Sequence, residues 1–83
     1  MRYELEIMKK AMRDLDDLDR TIASRILAKI EIMRDDLAGD VKRLTNFNPE
    51  YRLRVGDYRV LFAIVGVKIE VHRVIHRRDA YRS

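Results

Sequence analysis

The feature that most constrains the fold is a pair of two-residue turns ten positions apart. Gly56-Asp57 and Gly66-Val67 both separate segments in which apolar and polar residues alternate. Alternation with a period of two is typical of half-buried strands, and a two-residue turn that begins with glycine suits a type II′ hairpin. Residues 51–55, 58–65 and 68–75 are therefore predicted to form three consecutive antiparallel strands.

The first half of the chain has a short alternating segment followed by a helical pattern. Residues 2–7 alternate, which predicts a first strand. Apolar residues then recur at steps of three or four, which is typical of an amphipathic helix. The members of this apolar stripe are Ala11, Leu15, Leu18, Ile22, Ile26, Ile30, Met33 and Leu37.

Two helices are expected from this stripe, because aspartates crowd its middle and aspartate favours helix caps over helix interiors. We expect a break near Leu18 and Asp19, with Asp19 capping the second helix. Gly39 is expected to end that helix. The two helices would form a hairpin with a shared apolar face.

These elements predict an α+β fold in the order β-α-α-β-β-β. The helical hairpin would pack on one face of a small, mainly antiparallel, four-stranded sheet. Residues 1–83 are short for even one domain of about 100–200 residues, so a single domain is expected. Hydrophobic residues form 47% of the chain and charged residues 39%, which fits a folded domain and excludes a disordered tail.

Location and cofactors are constrained by what the sequence lacks. The longest apolar run is residues 60–67, whereas a membrane-spanning helix needs about twenty residues. Acidic residues stand near the N-terminus, where a signal peptide would have an apolar stretch. The chain contains no cysteine, which excludes disulfides and thiolate metal sites. A cytoplasmic protein with no membrane partner and no cofactor is therefore expected.

Positive charge is concentrated in the last third of the chain. Residues 1–50 hold 10 Lys and Arg against 11 Asp and Glu, whereas residues 51–83 hold 8 against 3. Seven of those eight cations are arginines, which favour planar, bidentate contacts to phosphate or carboxylate. A polyanion or an acidic partner is indicated, although a solvated basic surface would have the same composition.

The hairpin turns determine which residues share a face. Across Gly56-Asp57, Arg54 would lie opposite Arg59, and both would share a face with Arg52. The same rule applied to Gly66-Val67 adds Glu70, His72, Val74 and His76 to that face. Like charges directly opposite each other are unfavourable. Either glutamates neutralise these arginines, or the face binds an anion.

A metal site formed by His72 and His76 is not expected. The two histidines are four residues apart on a predicted strand and would be separated by about 13 Å. Two ligands of one zinc ion cannot be that far apart. We therefore predict that this chain has no metal site.

Two segments resemble a known family. The predicted hairpin from Tyr51 to Val60 resembles the central hairpin of the RelE/ParE superfamily of bacterial and archaeal toxins. The ending from Val74 to Tyr81 is similar to the closing motif of that family, in which a hydrophobic pair precedes His-Arg and a tyrosine. Lys42-Arg43-Leu44 resembles the two basic residues and leucine that precede this hairpin in the family. Together with the predicted strand, helical hairpin and three strands, the resemblance covers nearly the whole chain.

The resemblance implies a toxin of a type II toxin–antitoxin system. The RelE branch contains ribosome-dependent endoribonucleases that cut mRNA in the decoding site, and the ParE branch contains inhibitors of DNA gyrase. This chain is more similar to the RelE branch in its basic sheet face and its ending. The implied partners are a cognate antitoxin, the ribosome and mRNA. A ParE-like gyrase inhibitor and a catalytically weak, antitoxin-binding member are the alternatives.

The resemblance also implies site residues. Arg59, Arg77 and Tyr81 match the arginines and the tyrosine of the family motifs, and with His76 they form the expected catalytic set. The RNA-binding residues would be Arg52, Arg54, Arg78, Lys42 and Arg43. RelE carries lysines where this chain has Arg52 and Arg54. Because arginine stays protonated, proton transfer would depend on His76, Tyr81 or His72.

Overall fold

In a computed structural model, which describes residues 1–80, two helices and five strands form two layers. In chain order they are β1 (Glu4–Ile7), α1 (Lys9–Asp16), α2 (Arg20–Met33), β2 (Val41–Arg43), β3 (Tyr51–Val55), β4 (Tyr58–Val65) and β5 (Lys68–His76). The predicted α+β class is confirmed. The sheet has five strands rather than four, because β2 adds a three-residue edge strand that is too short for periodicity to reveal.

The strand order in the sheet is β1-β5-β4-β3-β2. β1 runs parallel to β5, and the other neighbouring pairs are antiparallel. The predicted register of the central hairpin is confirmed, with Val55 opposite Tyr58 and Arg54 opposite Arg59. Gly56 and Gly66 begin the two turns with φ of +57° and +61°, which glycine adopts without steric cost.

The helices cover one face of this sheet and form the core with it. Asp19 caps α2 as predicted, since its carboxylate accepts a hydrogen bond from the Thr21 N–H at 3.3 Å. Most of the predicted stripe is buried against apolar residues of the sheet. The buried core comprises Ala11, Leu15, Ile26, Ile30, Met33, Leu53, Val55, Val60, Phe62, Ile69, Val71 and Val74.

Helix α2 ends at Met33, so the prediction that it continues to Gly39 is wrong. The N-terminal segment binds the backbone that would otherwise continue the helix. The Tyr3 N–H donates to the Arg34 carbonyl at 2.8 Å, and Arg34 Nε donates to the Tyr3 carbonyl at 2.9 Å. Asp36 and Leu37 then take left-handed φ values of 54° and 59°.

A β-bulge interrupts the pairing of β4 with β5. Phe62 lies opposite Val71 and Leu61 lies opposite Arg73, which leaves His72 as the extra residue. A one-residue shift moves every later side chain of β5 to the other face. The prediction that Val74 and His76 share the arginine face is therefore wrong.

The residues after the bulge take new partners. Val74 lies opposite Val60 in the core, and His76 lies opposite Tyr58 on the helix side of the sheet. Arg73 and Ile75 are the residues of this segment that turn to the face away from the helices, where they lie opposite Leu61 and Arg59.

Asp14 of α1 holds the bulged segment. Its Oδ2 accepts hydrogen bonds from the Val74 N–H at 2.9 Å and from Arg73 Nε at 2.8 Å, while Oδ1 accepts from Arg73 Nη2 at 3.1 Å. The hydrogen bond to Asp14 raises the pKa of the Arg73 guanidinium. Because β1 ends at Ile7, Asp14 supplies the acceptor that the edge of β5 lacks beyond that point.

Candidate nucleic-acid interface

The sheet face away from the helices is divided into two differently charged halves. The paired half consists of Glu6, Lys68, Glu70 and His72 on β1 and β5. The cationic half consists of Lys42, Arg52, Arg54 and Arg59 on β2, β3 and β4. Strand pairing aligns Lys42 with Arg52 and Arg54 with Arg59, so four cations lie close together on three neighbouring strands.

In the paired half, acidic and basic groups neutralise each other. Lys68 Nζ donates to Glu6 Oε1 at 2.8 Å and lies 3.4 Å from Glu70 Oε2. His72 Nε2 lies 3.5 Å from Glu70 Oε1. The hydrogen bonds to Glu6 and then Glu70 raise the pKa of Lys68. These glutamates therefore contact Lys68 and His72, not the arginines of β3 and β4.

In the cationic half, protein contacts orient two guanidinium groups. Arg52 Nη1 donates to the Asp40 carbonyl at 2.8 Å and to Asp40 Oδ1 at 3.1 Å. Arg59 Nη1 donates to the carbonyls of Gly56 and Tyr58 at 3.0 and 3.1 Å, which fix its position without neutralising its charge. Within residues 1–80, Arg54 has no ion-pair partner.

These cations line a cleft of about 420 Å³. Its other walls come from the connection between β2 and β3. The lining residues are Lys42, Leu44, Thr45, Phe47, Arg52, Arg54 and Arg59. A concave site with several arginines and an aromatic ring can bind phosphate groups and stack a base.

The remaining motif residues lie around this cleft rather than in it. Arg43 is on the edge strand and its Nη2 lies 3.5 Å from Glu50 Oε2. The Arg77 N–H donates to the Asp57 carbonyl at 2.7 Å, and Arg77 Nε lies 3.8 Å from Asp57 Oδ1. Arg77 therefore lies at the same β3–β4 turn that Arg59 contacts.

His76 lies on the helix side of that turn. Its ring meets the Tyr58 ring edge-on, with 5.4 Å between centroids. The Arg78 N–H donates to His76 Nδ1 at 3.3 Å, which leaves Nε2 as the nitrogen that can exchange a proton. The Arg78 side chain is exposed. Tyr81 lies outside the described residues.

The match to a known family decides the identity of the chain. Residues 5–81 match the family described as the ParE toxin of type II toxin–antitoxin system, parDE. The chain belongs to this toxin family. It is 33% identical to Toxin RelE3 of Methanocaldococcus jannaschii over 78 residues, which cover 88% of this chain and 89% of that toxin.

Two solved structures support the RelE-like branch of the superfamily. The RelB-RelE antitoxin-toxin complex from Methanococcus jannaschii is similar with a TM-score of 0.74 and 30% identity, covering 90% of this chain and 93% of that chain. The archaeal RelE-RelB complex from Pyrococcus horikoshii OT3 is similar with a TM-score of 0.77 and 26% identity, covering 96% and 100%.

The geometry of this RelE-like toxin includes contacts that the sequence motifs do not reveal. Asp40 anchors Arg52, and Asp14 anchors Arg73 from another element. Asp40 lies two residues before Lys42-Arg43-Leu44, so its position in the sequence could have indicated an acidic partner for a nearby arginine. Asp14 is separated from Arg73 by 59 residues and has no local signal at all.

Two further structural findings concern membranes and metals. Neither helix of the described chain has the length and hydropathy needed to cross a bilayer. Among residues 1–80, no three His, Asp or Glu side chains are grouped so that they could hold a metal ion.

Proposed function

We propose that this toxin is an endoribonuclease that cuts mRNA in the decoding site of the ribosome and so arrests translation. The observation that carries the proposal is the cationic half, where four cations line one cleft and the nearby glutamates contact Lys68 and His72 instead. Arg52 is paired with Asp40, but Arg54 and Arg59 have no carboxylate partner within residues 1–80, and such cations favour a polyanion such as RNA.

The cleft suits the phosphate at which RNA is cut. Attack by the RNA 2′-hydroxyl, which loses its proton to a base, on the adjacent phosphorus forms a phosphorane with added negative charge on its oxygens. The bond from phosphorus to the 5′-oxygen then breaks, an acid protonates that oxygen, and a 2′,3′-cyclic phosphate remains. Arg54 and Arg59 are our candidates for binding those oxygens, because positioned donors act most strongly where charge develops. Lys42 and Arg52 would bind the neighbouring phosphates.

Proton transfer requires groups other than these arginines. We assign it to His76, whose imidazole nitrogens can accept and donate a proton, together with Tyr81 from the closing motif. Arg77 would bind phosphate at the β3–β4 turn, next to the Arg59 contacts. The RNA would then extend from the cleft around this end of the sheet. Arg43 and Arg78, both exposed, would add phosphate contacts at the margins.

A cognate antitoxin is the proposed protein partner. Two of the similar structures are complexes of a RelE toxin with RelB. An antitoxin that covered the cationic half with an acidic segment would neutralise the same charges that bind RNA, and it would thereby block the toxin.

Toe-printing of mRNA on programmed ribosomes tests the proposal. The purified wild type should produce a new break in the decoding site, and Arg59→Ala and Arg77→Ala should each lower the cleavage rate about 100-fold, as expected for loss of one transition-state donor. Arg13→Ala is the matched control, since Arg13 is an exposed arginine on α1. Absence of a break with folded toxin and active ribosomes would refute the nuclease.

Inhibition of DNA gyrase is the second candidate function. It is favoured by the family description as a ParE toxin and by the position of His76 and Arg77 outside the cleft. A gyrase supercoiling assay distinguishes the two candidates. Inhibition by the wild type, with no mRNA break in the ribosome experiment, would favour the ParE-like action.

A further inference from the structure

Arg52 differs from the other arginines of the cationic cleft because it has a carboxylate partner. Its Nη1 donates to Asp40 Oδ1 at 3.1 Å and to the Asp40 carbonyl at 2.8 Å. Arg59 donates to backbone carbonyls instead, and Arg54 has no ion-pair partner within residues 1–80. The chain therefore offsets the charge of one arginine in the cleft and leaves two arginines without a counter-charge.

The carboxylate of Asp40 is not required to hold Arg52 in place. The neutral Asp40 carbonyl already accepts a hydrogen bond from Arg52, and it also accepts one from the Arg54 N–H at 2.9 Å. Carbonyls alone are sufficient to orient Arg59. The carboxylate of Asp40 therefore adds what a carbonyl lacks, which is a full negative charge beside the guanidinium.

This ion pair is screened less than the exposed pair nearby. The Arg52 side chain is 15% exposed, so water and salt screen its charge less than the charge of an exposed group. In the pair of Arg43 with Glu50, which lies outside the cleft, the side chains are 70% and 56% exposed. A phosphate that approaches Arg52 must therefore compete with the Asp40 carboxylate.

We propose that Asp40 is a specificity-determining residue that lowers the affinity of the cleft for RNA in general. Among the described residues that line the cleft there is no carboxylate, so without Asp40 all its cations would attract phosphate fully. This attraction is independent of sequence and acts on every RNA. Free RNA depends on it, whereas mRNA on the ribosome is also positioned by the ribosome. This inference rests on the proposed function and adds a determinant of selectivity to it.

Binding of a short single-stranded 2′-O-methyl RNA tests the inference, because the methyl group prevents cleavage. Asp40→Asn keeps the backbone carbonyl and a side-chain oxygen that can accept from Arg52, but it removes the charge. By fluorescence anisotropy we expect this variant to bind the RNA about fivefold more tightly than the wild type, as for removal of one like charge near a bound phosphate. The slope of log affinity against log salt should become steeper by about 0.7, since Arg52 then neutralises a phosphate.

Two comparisons assign this gain to the charge beside Arg52. Glu50→Gln removes the same charge from the exposed pair with Arg43, so its effect should be less than about twofold. In an Arg52→Ala background, Asp40→Asn should leave the salt slope unchanged, because no cation is released. A damaged cleft binds RNA less tightly, so a gain in affinity distinguishes the charge of Asp40 from a purely structural role.

Competition on the ribosome measures the selectivity. Increasing amounts of the 2′-O-methyl RNA would be added to the toe-printing experiment. This RNA should inhibit cleavage by Asp40→Asn at a concentration about fivefold lower than for the wild type, because the variant binds free RNA more tightly. Equal inhibition of the two proteins would overturn a role of Asp40 in selectivity.

The outcomes separate this inference from the proposed function. If Asp40→Asn binds RNA no more tightly than the wild type while mRNA is still cut, the role of Asp40 is overturned and the nuclease is retained. Tighter binding without any break in mRNA would support the charge effect of Asp40 and refute the nuclease. An equal gain in Glu50→Gln would overturn the assignment to the pair with Arg52. No binding of RNA by either protein would overturn both proposals.

Discussion

The paired half and the cationic half lie on one sheet face but differ in whether their cations contact carboxylates of the same chain. In the paired half, Lys68 contacts Glu6 and Glu70 within the chain. In the cationic half, Arg59 is oriented by backbone carbonyls, and Arg54 has no ion-pair partner within residues 1–80. Carbonyl contacts hold a guanidinium in place while its charge remains available, whereas carboxylate contacts neutralise a cation.

The difference indicates which part of the face is adapted to a partner. Exposed ion pairs contribute little to stability, and Lys68 in the paired half already has two carboxylate partners in the chain. Adjacent cations such as Arg54 and Arg59 repel each other in the free protein. A bound anion removes that repulsion, so the cationic half gains more from a polyanion than the paired half does.

The largest effect is expected where the two halves meet, at the bulge held by Asp14. Asp14→Ala leaves the Val74 N–H and the Arg73 guanidinium without their acceptor. Val74 is buried, and loss of the acceptor for its N–H costs about 2 kcal/mol. Urea unfolding should show this decrease, whereas Asp16→Ala, an exposed change on the same helix, should alter the free energy of unfolding by less than about 0.5 kcal/mol. Equal effects would mean that Asp14 does not hold the bulge.

Charge reversal compares the two halves directly. Arg54→Glu should weaken binding of a short 2′-O-methyl RNA by about tenfold, because it places a negative charge in the cleft. Lys68→Glu changes the net charge by the same amount but lies in the paired half, so its effect should be less than about threefold. Equal losses measured by anisotropy would show that net charge, not position, determines RNA binding.

Salt dependence sharpens the same comparison. If Arg54 neutralises one phosphate, Arg54→Ala should lower the slope of log affinity against log salt by about 0.7. Lys68→Ala should leave the slope unchanged, since Lys68 contacts carboxylates of its own chain. The measurement is a titration at several salt concentrations. A changed slope for Lys68→Ala would extend the RNA-binding surface into the paired half.

The smallest effect concerns alkaline stability. The folded-state pKa of Lys68 is raised by Glu6 and Glu70, so its contribution to stability is complete below the ordinary lysine pKa of about 10.4. That contribution is lost as pH rises through the raised value. Lys68→Met should therefore lose less stability than the wild type as the pH rises above the ordinary lysine pKa. Parallel losses in urea unfolding would contradict a role for this ion pair.

Local patterns were sufficient to predict much of this fold. The alternation around Gly56 predicted the pairing of Arg54 with Arg59, and Asp19 marked the start of α2. Both depend on residues close in sequence. The placement of Arg52, Arg54 and Arg59 on one face follows from that register, which is why the basic face could be predicted. Lys42 joins them through β2, a strand that the alternation did not predict.

The errors arose where distant residues determine the backbone. The bulge is held by Asp14, about 60 residues before Val74, and it moved His76 to the other face. The early end of α2 depends on hydrogen bonds between Tyr3 and Arg34. The periodicity of a single segment carries no information about such distant contacts. The catalytic role of His76 stays a prediction.

The parallel pairing of β1 with β5 has a consequence for synthesis of the toxin. Glu4–Ile7 is synthesised well before its partner Lys68–His76, because the paired residues Glu4 and Lys68 are 64 positions apart in the chain. Contacts of such high sequence separation form late, because the chain between them must be ordered first. The sheet is therefore completed only after β5 has been translated, so synthesis that stops before Lys68 yields a fragment whose β1 and β4 both lack their β5 partner.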